Sequence, residues 1–393
     1  MGLLSATCSI CQFHVVGERP AGDLAAWAAE RLAEHGFCSI EESCEESAVG
    51  WVEFGNPDES GFAGPHVFQH EHYFAFTLRR DARRLPATLV RQYLQRAEAD
   101  FLAANPQFRR VPRRQREEMR ESVRLDLLQR TLPSPLLVDL VWNTEQDTVS
   151  FAGLSSAIID ILMELFSKTF EGLRLVPVPP YARALNVVDN ELKESLVAAN
   201  QATSDDVQEL CAANRWLGCD FFLWLIYHTM TDTSEYAVCR PGPLANGECF
   251  VAYLDEHLTL AGGDNPEGVQ KVAVSGPQDH FQEVRAALLS GKSILDATLY
   301  LEQEENLWKM NLKGEKFHFA SFRTPKVKIE KDDLVDAAME REAVFFERMS
   351  LLETGIQMFD SVLAGFLRER LAAAWPQQEA AIRTWLERDG QKA

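Results

Sequence analysis

The chain has 393 residues, with 39 lysines and arginines against 59 aspartates and glutamates, for a formal net charge of −20. A 46% hydrophobic and 25% charged composition is that of a globular protein long enough for two or three sizeable cores. No apolar run reaches 18 residues, so no transmembrane span is expected, and eight cysteines in this length do not make a disulfide scaffold.

The N-terminus, Met-Gly-Leu-Leu-Ser-Ala, lacks the basic and long apolar regions of a signal peptide, and Ala6 stands where a myristoylation signal needs Ser or Thr. Cys8 and Cys11 form a CxxC inside a strand-like stretch. Residues three apart on a strand point to opposite faces, so the pair is not expected to chelate one zinc without a local turn. The spacings 38/44, 211/219 and 239/249 match no zinc pattern, and the cysteines are expected to be reduced thiols of a cytoplasmic protein.

Asp23 to His35 carries Leu24, Trp27, Ala28 and Leu32 at helical spacing, with Asp23 as N-cap and Gly36 as stop. Gly50–Phe54 and His72–Leu78 read as strands around a Gly/Pro/Asn-rich loop. Pro86 opens a helix that Asn105-Pro106 ends near Ala104, and Pro112 opens a second that runs to about Arg130. Strands are expected at Leu136–Trp142 and Thr148–Ala152, then a helix from Ser155 to Phe170. Val176-Pro-Val-Pro-Pro180 reads as stiff punctuation and a domain boundary.

Asn190–Asn200 and Ser204–Asn214 look helical, and Arg240–Gly247 is a Gly/Pro-rich loop. Beyond residue 266 come strands at Lys271–Val274, Thr298–Gln303, Leu307–Leu312 and Lys316–Phe322, with Lys313-Gly314 turning between the last two. An amphipathic helix is expected from Lys331 to about Ala374, ended by Pro376. Its Phe345, Met349, Leu352, Ile356, Phe359, Leu363 and Phe366 form an apolar seam suited to a core or to a dimer contact. The class is α+β, with mixed or antiparallel sheets and long helices. Three regions are expected: an N-terminal α+β domain over 1–180, a middle region over 181–265, and a β-hairpin region with the C-terminal helix over 266–393.

Charge is distributed unevenly. Residues 79–130 hold 14 arginines, no lysine and 7 acids, a net +7, so the other 341 residues carry −27. Arg113, Arg116, Arg120 and Arg124, spaced by 3, 4 and 4, fall on one stripe of the second helix, with Arg109 and Arg110 just before it. Guanidinium is suited to bidentate phosphate contact, so such a stripe can neutralise successive phosphates of a nucleic acid. The same stripe could instead be a solvated face paired at i,i+4 with Glu117, Glu118 and Glu121. A second patch, Lys309, Lys313, Lys316, Arg323, Lys326, Lys328 and Lys331 against Glu315 and Glu330, carries +5 and suggests an opposite wall of one polyanion-binding surface.

Catalytic motifs are absent: no P-loop, GxGxxG or GxSxG occurs. His66, His70 and His72 form an HxxxHxH run in which His70 and His72 share a strand face. They motivate the alternative of a metal-dependent nuclease or other hydrolase, although no carboxylate third ligand stands out and a plain histidine pair is the commoner explanation. Asp232, Glu235 and Cys239 near His228 make no recognisable triad. Phe317, Phe319 and Phe322 read as the core face of a strand rather than a base-stacking platform. A third reading is a protein-interaction scaffold without DNA binding.

An ordered set of residues resembles the bacterial recombination-associated protein RdgC family. The set comprises Gly50-Trp51-Val52, Leu85-Pro86, Leu89-Val90 and Gln92, then Arg109, Arg110, Arg113, Arg116 and Arg120. Leu127-Leu128 with Arg130, Trp142 and Val176-Pro177 follow. Gly291-Lys292, the strands to Leu312 and the C-terminal helix are also similar. The resemblance covers roughly 13–180 and 250–370; residues 181–249 have no recognised counterpart and read as an insertion.

The resemblance implies an elongated, curved subunit in a homodimer closed into a ring, with duplex DNA passing through the hole. It implies binding without sequence preference, no catalysis and no cofactor, in a nucleoid-associated cytoplasmic protein. It also implies restraint of RecA-type strand exchange through the shared DNA. The residues expected to hold DNA are Arg109, Arg110, Arg113, Arg116, Arg120, Arg124, Lys313, Lys316, Lys326 and Lys328. Leu132 stands where the family carries a Phe near a subunit contact, and is the expected dimer residue. Ser275-Gly276-Pro277 replaces a basic pair expected there.

Overall fold

A computed structural model describes residues 2–204, 206–231, 234–262, 269–277, 281–328 and 337–388. The chain begins with β1 (Thr7–Gly17), α1 (Leu24–Glu34) and β2 (Ser47–Glu53), then β3 (Gln69–His70) and β4 (Tyr73–Ala82). Asp23 caps α1, its Oδ1 accepting from the Ala25 amide at 2.9 Å. Next come α2 (Ala87–Ala104), α3 (Arg113–Arg130), β5 (Ser134–Asn143), β6 (Thr148–Phe151), α4 (Ser156–Thr169) and β7 (Leu173–Pro177). Pro86 and Pro112 stand immediately before α2 and α3 with extended backbones, as proline's missing N–H and fixed φ favour at a helix start. The segment expected to be mere punctuation at 176–180 instead completes β7 and opens α5 (Pro180–Val187).

Three helices and a strand follow in the region that gives little periodic signal: α6 (Lys193–Ala199), α7 (Val207–Ala213), α8 (Trp216–Thr231) and β8 (Glu235–Ala237). The remainder is β9 (Cys249–Gly262), β10 (Gln270–Ser275), α9 (Gln282–Leu289), β11 (Lys292–Gln303), β12 (Asn306–Lys313), β13 (His318–Arg323), α10 (Ala337–Arg370) and α11 (Trp375–Arg388). Pro376 does not end the C-terminal helix; it lies in the first turn of α11, where its lost N–H costs nothing. The expected start of α10 at Lys331 lies outside the described residues.

The chain forms two compact units interleaved in sequence. Unit 2 comprises residues 17–146 and 160–174, and unit 1 comprises residues 1–16, 147–159 and 175–393. In unit 2, β2, β4 and β5 form an antiparallel sheet with β3 hairpinned onto β4. Its core is aromatic. Trp142 meets Phe74, Phe166 and Phe170 with centroids 5.6–5.9 Å apart, and Trp51 meets Phe76 edge-on at 4.8 Å. The Trp51 indole N–H donates to Thr169 Oγ1 at 2.7 Å, so the ring is buried with its polar atom satisfied.

In unit 1 the antiparallel order is β10-β9-β11-β12-β13-β1-β6, with β8 on β9. Trp308, Met310 and Leu312 of β12 and Phe319 and Phe322 of β13 are fully buried. The aromatic edges of α8 and α10 meet them: Phe359 lies 5.2 Å from Phe319, and Phe221 lies 5.9 Å from Phe359. The apolar seam of α10 therefore packs inside unit 1, with Phe345, Met349, Leu352, Leu363 and Phe366 all buried. Gly355 permits this closeness; a Cβ there would lie 2.6 Å from Phe322 and 2.8 Å from Trp308. Cys8 and Cys11 are both buried on β1, which has both faces covered here, and burial pushes the Cys11 thiol up to about 12. All eight cysteines are free thiols.

Candidate nucleic-acid interface

The helices α2 and α3 form a hairpin within unit 2 whose connection starts at Asn105. Asn105 ends α2 by donating its Nδ2 to the Phe101 carbonyl at 2.9 Å. The hairpin is unusually exposed: α2 has no buried side chain, and α3 buries only Leu127 and Leu128 in its last turns. Helices normally owe their stability to packing one face; this pair has only modest apolar contact between its own members, and its exposed ion pairs add little.

The arginine stripe faces the groove of this hairpin. A cavity of about 900 Å³ is lined by Arg91 of α2, by Arg116, Arg120 and Arg124 of α3, and by Arg83. Its apolar lining comes from Leu85, Val90, Leu94 and Leu128. A second cavity of about 470 Å³ shares Arg116 and Arg120 and adds Arg113. Carboxylates hold part of this charge. Arg113 Nε donates to Glu117 at 3.2 Å and Arg114 to Glu118 at 3.0 Å, the i,i+4 pairs that the sequence spacing suggests. Arg116 instead crosses to Glu98 of α2 at 2.5 Å, and Arg124 pairs with Glu46 from the loop before β2. Among the described residues Arg109, Arg110 and Arg120 have no ion pair; all three are exposed.

Not every arginine of the 79–130 segment is available. Arg79 grips Asp81 with two bonds of 3.0 Å and lies 4.3 Å over the Phe37 ring. Arg83 is buried and donates to five backbone carbonyls, those of Ile40, Glu41, Ser43, Glu45 and Thr131, at 2.7–3.0 Å. It fastens the loop before β2 to the end of α3. The sequence carries no signal for this role, nor for Glu46, Glu98 and Arg91 as members of the groove.

The second basic patch lies in unit 1. Lys313 pairs with Asp296 at 3.0 Å, and Lys309 pairs with Glu256 while lying 5.2 Å over Tyr300. Lys316, Lys326 and Lys328 are exposed and carry no ion pair among the described residues. Lys331 lies outside those residues. Beside Lys316, His318 is held well below its usual range, at about 4, by burial and by that ammonium. Leu132, between α3 and β5, is 79% exposed.

The histidine run does not form the expected face. His70 ends β3, and His72 lies across a tight turn in which Glu71 adopts φ +51°, so the two are not alternate residues of one strand. His72 packs against Tyr73 with ring centroids 4.0 Å apart and planes tilted by 41°. Among the described residues no three His, Cys, Asp or Glu side chains converge as a metal-ligand set. No described helix is long and apolar enough to cross a membrane.

Residues 21–212, which include the whole α2–α3 hairpin, match the RdgC family model, described as "Putative exonuclease, RdgC". The match, over just under half of the chain, supports membership of the RdgC family. The match runs on past the Pro-rich segment, through α5 and α6 and into α7. That likeness supports a recombination-related role. No curated protein matches the chain.

Proposed function

We propose that this chain is a non-enzymatic, sequence-indifferent binder of double-stranded DNA that modulates homologous recombination. The observation that carries this reading is the exposed α2–α3 hairpin, whose groove gathers Arg91, Arg113, Arg116, Arg120 and Arg124 in a protein of net charge −20. Guanidiniums set along a groove fit successive phosphates, and phosphate contacts position without specifying. Arg109 and Arg110 extend the surface beyond the groove, and Lys313, Lys316, Lys326 and Lys328 supply a second contact. Two copies close around the duplex, with Leu132 at the subunit contact, and the bound protein limits access of a RecA-type recombinase. Its expected setting is the nucleoid.

Each phosphate neutralised adds about 0.9 to the slope of log affinity against log salt. Fluorescence anisotropy of a random-sequence duplex over a salt series tests the reading: steep salt dependence with little sequence preference supports it, and no binding at low salt refutes it.

The family description favours exonuclease activity as a second reading. Incubating end-labelled duplex with Mg²⁺ or Mn²⁺ tests it: stepwise shortening of the labelled strand that EDTA abolishes would establish a metal-dependent nuclease, and an intact strand would refute it.

A further inference from the structure

The loop over residues 37–46 carries Glu41, Glu42, Glu45 and Glu46, all exposed. Its path is imposed by one buried side chain. Arg83 binds the carbonyls of Ile40, Glu41, Ser43 and Glu45, and its own amide donates to the Glu46 carbonyl at 2.8 Å. That anchoring delivers the Glu46 carboxylate to the wall of the arginine groove, where it pairs with Arg124. Both partners are about half exposed, at 49% and 48%, so the pair is worth little to the fold. Its position matters more than its strength. A carboxylate on a guanidinium uses the same donors that a phosphate oxygen would take.

We propose that the Arg83-anchored loop is a built-in competitor, with Glu46 standing in the place of a phosphate on Arg124 and weakening nucleic-acid binding at the groove. The inference rests on the reading of the groove as a nucleic-acid site. A ligand engaging few guanidiniums benefits little from displacing Glu46, whereas a long polyanion engages the whole stripe. The loop thereby favours long nucleic acid over short fragments. An arginine already paired within the protein also contributes less to counterion release, so the competitor flattens the salt response.

The test uses the full chain, wild type and Glu46→Gln, in anisotropy titrations of one random-sequence duplex over a salt series. Glu342→Gln, an exposed carboxylate of α10, controls for the removal of one negative charge. Glu46→Gln is expected to bind up to about eight-fold tighter near 0.1 M salt, with a slope steeper by about 0.9, the effect of one further phosphate neutralised. Glu342→Gln is expected to change affinity less than two-fold. If wild type binds and Glu46→Gln matches it in affinity and slope, the competitor is overturned while the groove stands. If Glu342→Gln tightens binding as much as Glu46→Gln, the effect is general charge and the inference falls. If neither wild type nor Glu46→Gln binds, the reading of the groove falls and takes the inference with it.

Discussion

Arg116 of α3 reaches across to Glu98 of α2, Nε to Oε1 at 2.5 Å, and joins two helices that bury almost no side chains. The side chains are 61% and 24% exposed, so the pair adds little to stability even though it spans the groove. Arg116→Ala is therefore expected to change the unfolding free energy by no more than about 1 kcal/mol. Urea denaturation checks this. A drop of several kcal/mol would make the stripe a structural element first.

Arg83 behaves oppositely. Arg83 is 7% exposed, and removing its guanidinium strands five carbonyls that it satisfies. Arg83→Ala should cost roughly 2–4 kcal/mol, the range for unpaired buried polar groups. The urea midpoint should fall accordingly, and an unchanged midpoint would mean that water replaces the guanidinium at no cost.

Stability should fall on mild acidification. Burial, then the Lys316 ammonium, lowers His318 to about 4, and burial, then Arg183, lowers His14. Both folded values lie below the unfolded one near 6.5, so the unfolded chain takes up protons first. The neutral-form contribution is complete above pH 6.5 and is lost as pH falls toward 4. For His318 it amounts to roughly 1–3 kcal/mol. Urea midpoints at pH 7.5 and 5.0 should differ, and His318→Gln should shrink the difference. A difference unaltered by His318→Gln would assign the acid sensitivity elsewhere.

Leu132 exposes 79% of its surface beside the end of α3. If it lies at the subunit contact, Leu132→Asp should shift sedimentation toward the monomer at micromolar concentration. A dimer population equal to wild type would move the contact away from this residue.

The helices bounded by side-chain chemistry were legible in the sequence: Asp23 before α1, and Pro86 and Pro112 before α2 and α3. The α8 helix was not. Its run from Trp216 to Thr231 is apolar on several sides because unit 1 surrounds it, and a buried helix has no amphipathic period. β9 was hidden by an irregularity at Glu256, which takes φ +60° where the register with β11 slips. Pro376 misled because proline ends one helix and begins the next with equal ease. At the groove, the stripe followed from spacing alone. Its partners Glu98 and Glu46 did not, because tertiary folding, and no local rule, brings them to Arg116 and Arg124.

The most direct test compares wild type with the Arg113→Ala, Arg116→Ala, Arg120→Ala triple variant in anisotropy titrations of a random duplex across several salt concentrations. The account predicts tight, sequence-indifferent wild-type binding that weakens steeply with salt. It predicts a variant that folds normally but binds more weakly, with a slope reduced by about 0.9 for each phosphate the variant no longer neutralises. A folded variant that binds with the wild-type affinity and slope would contradict it, because the duplex would then be held somewhere other than the arginine groove.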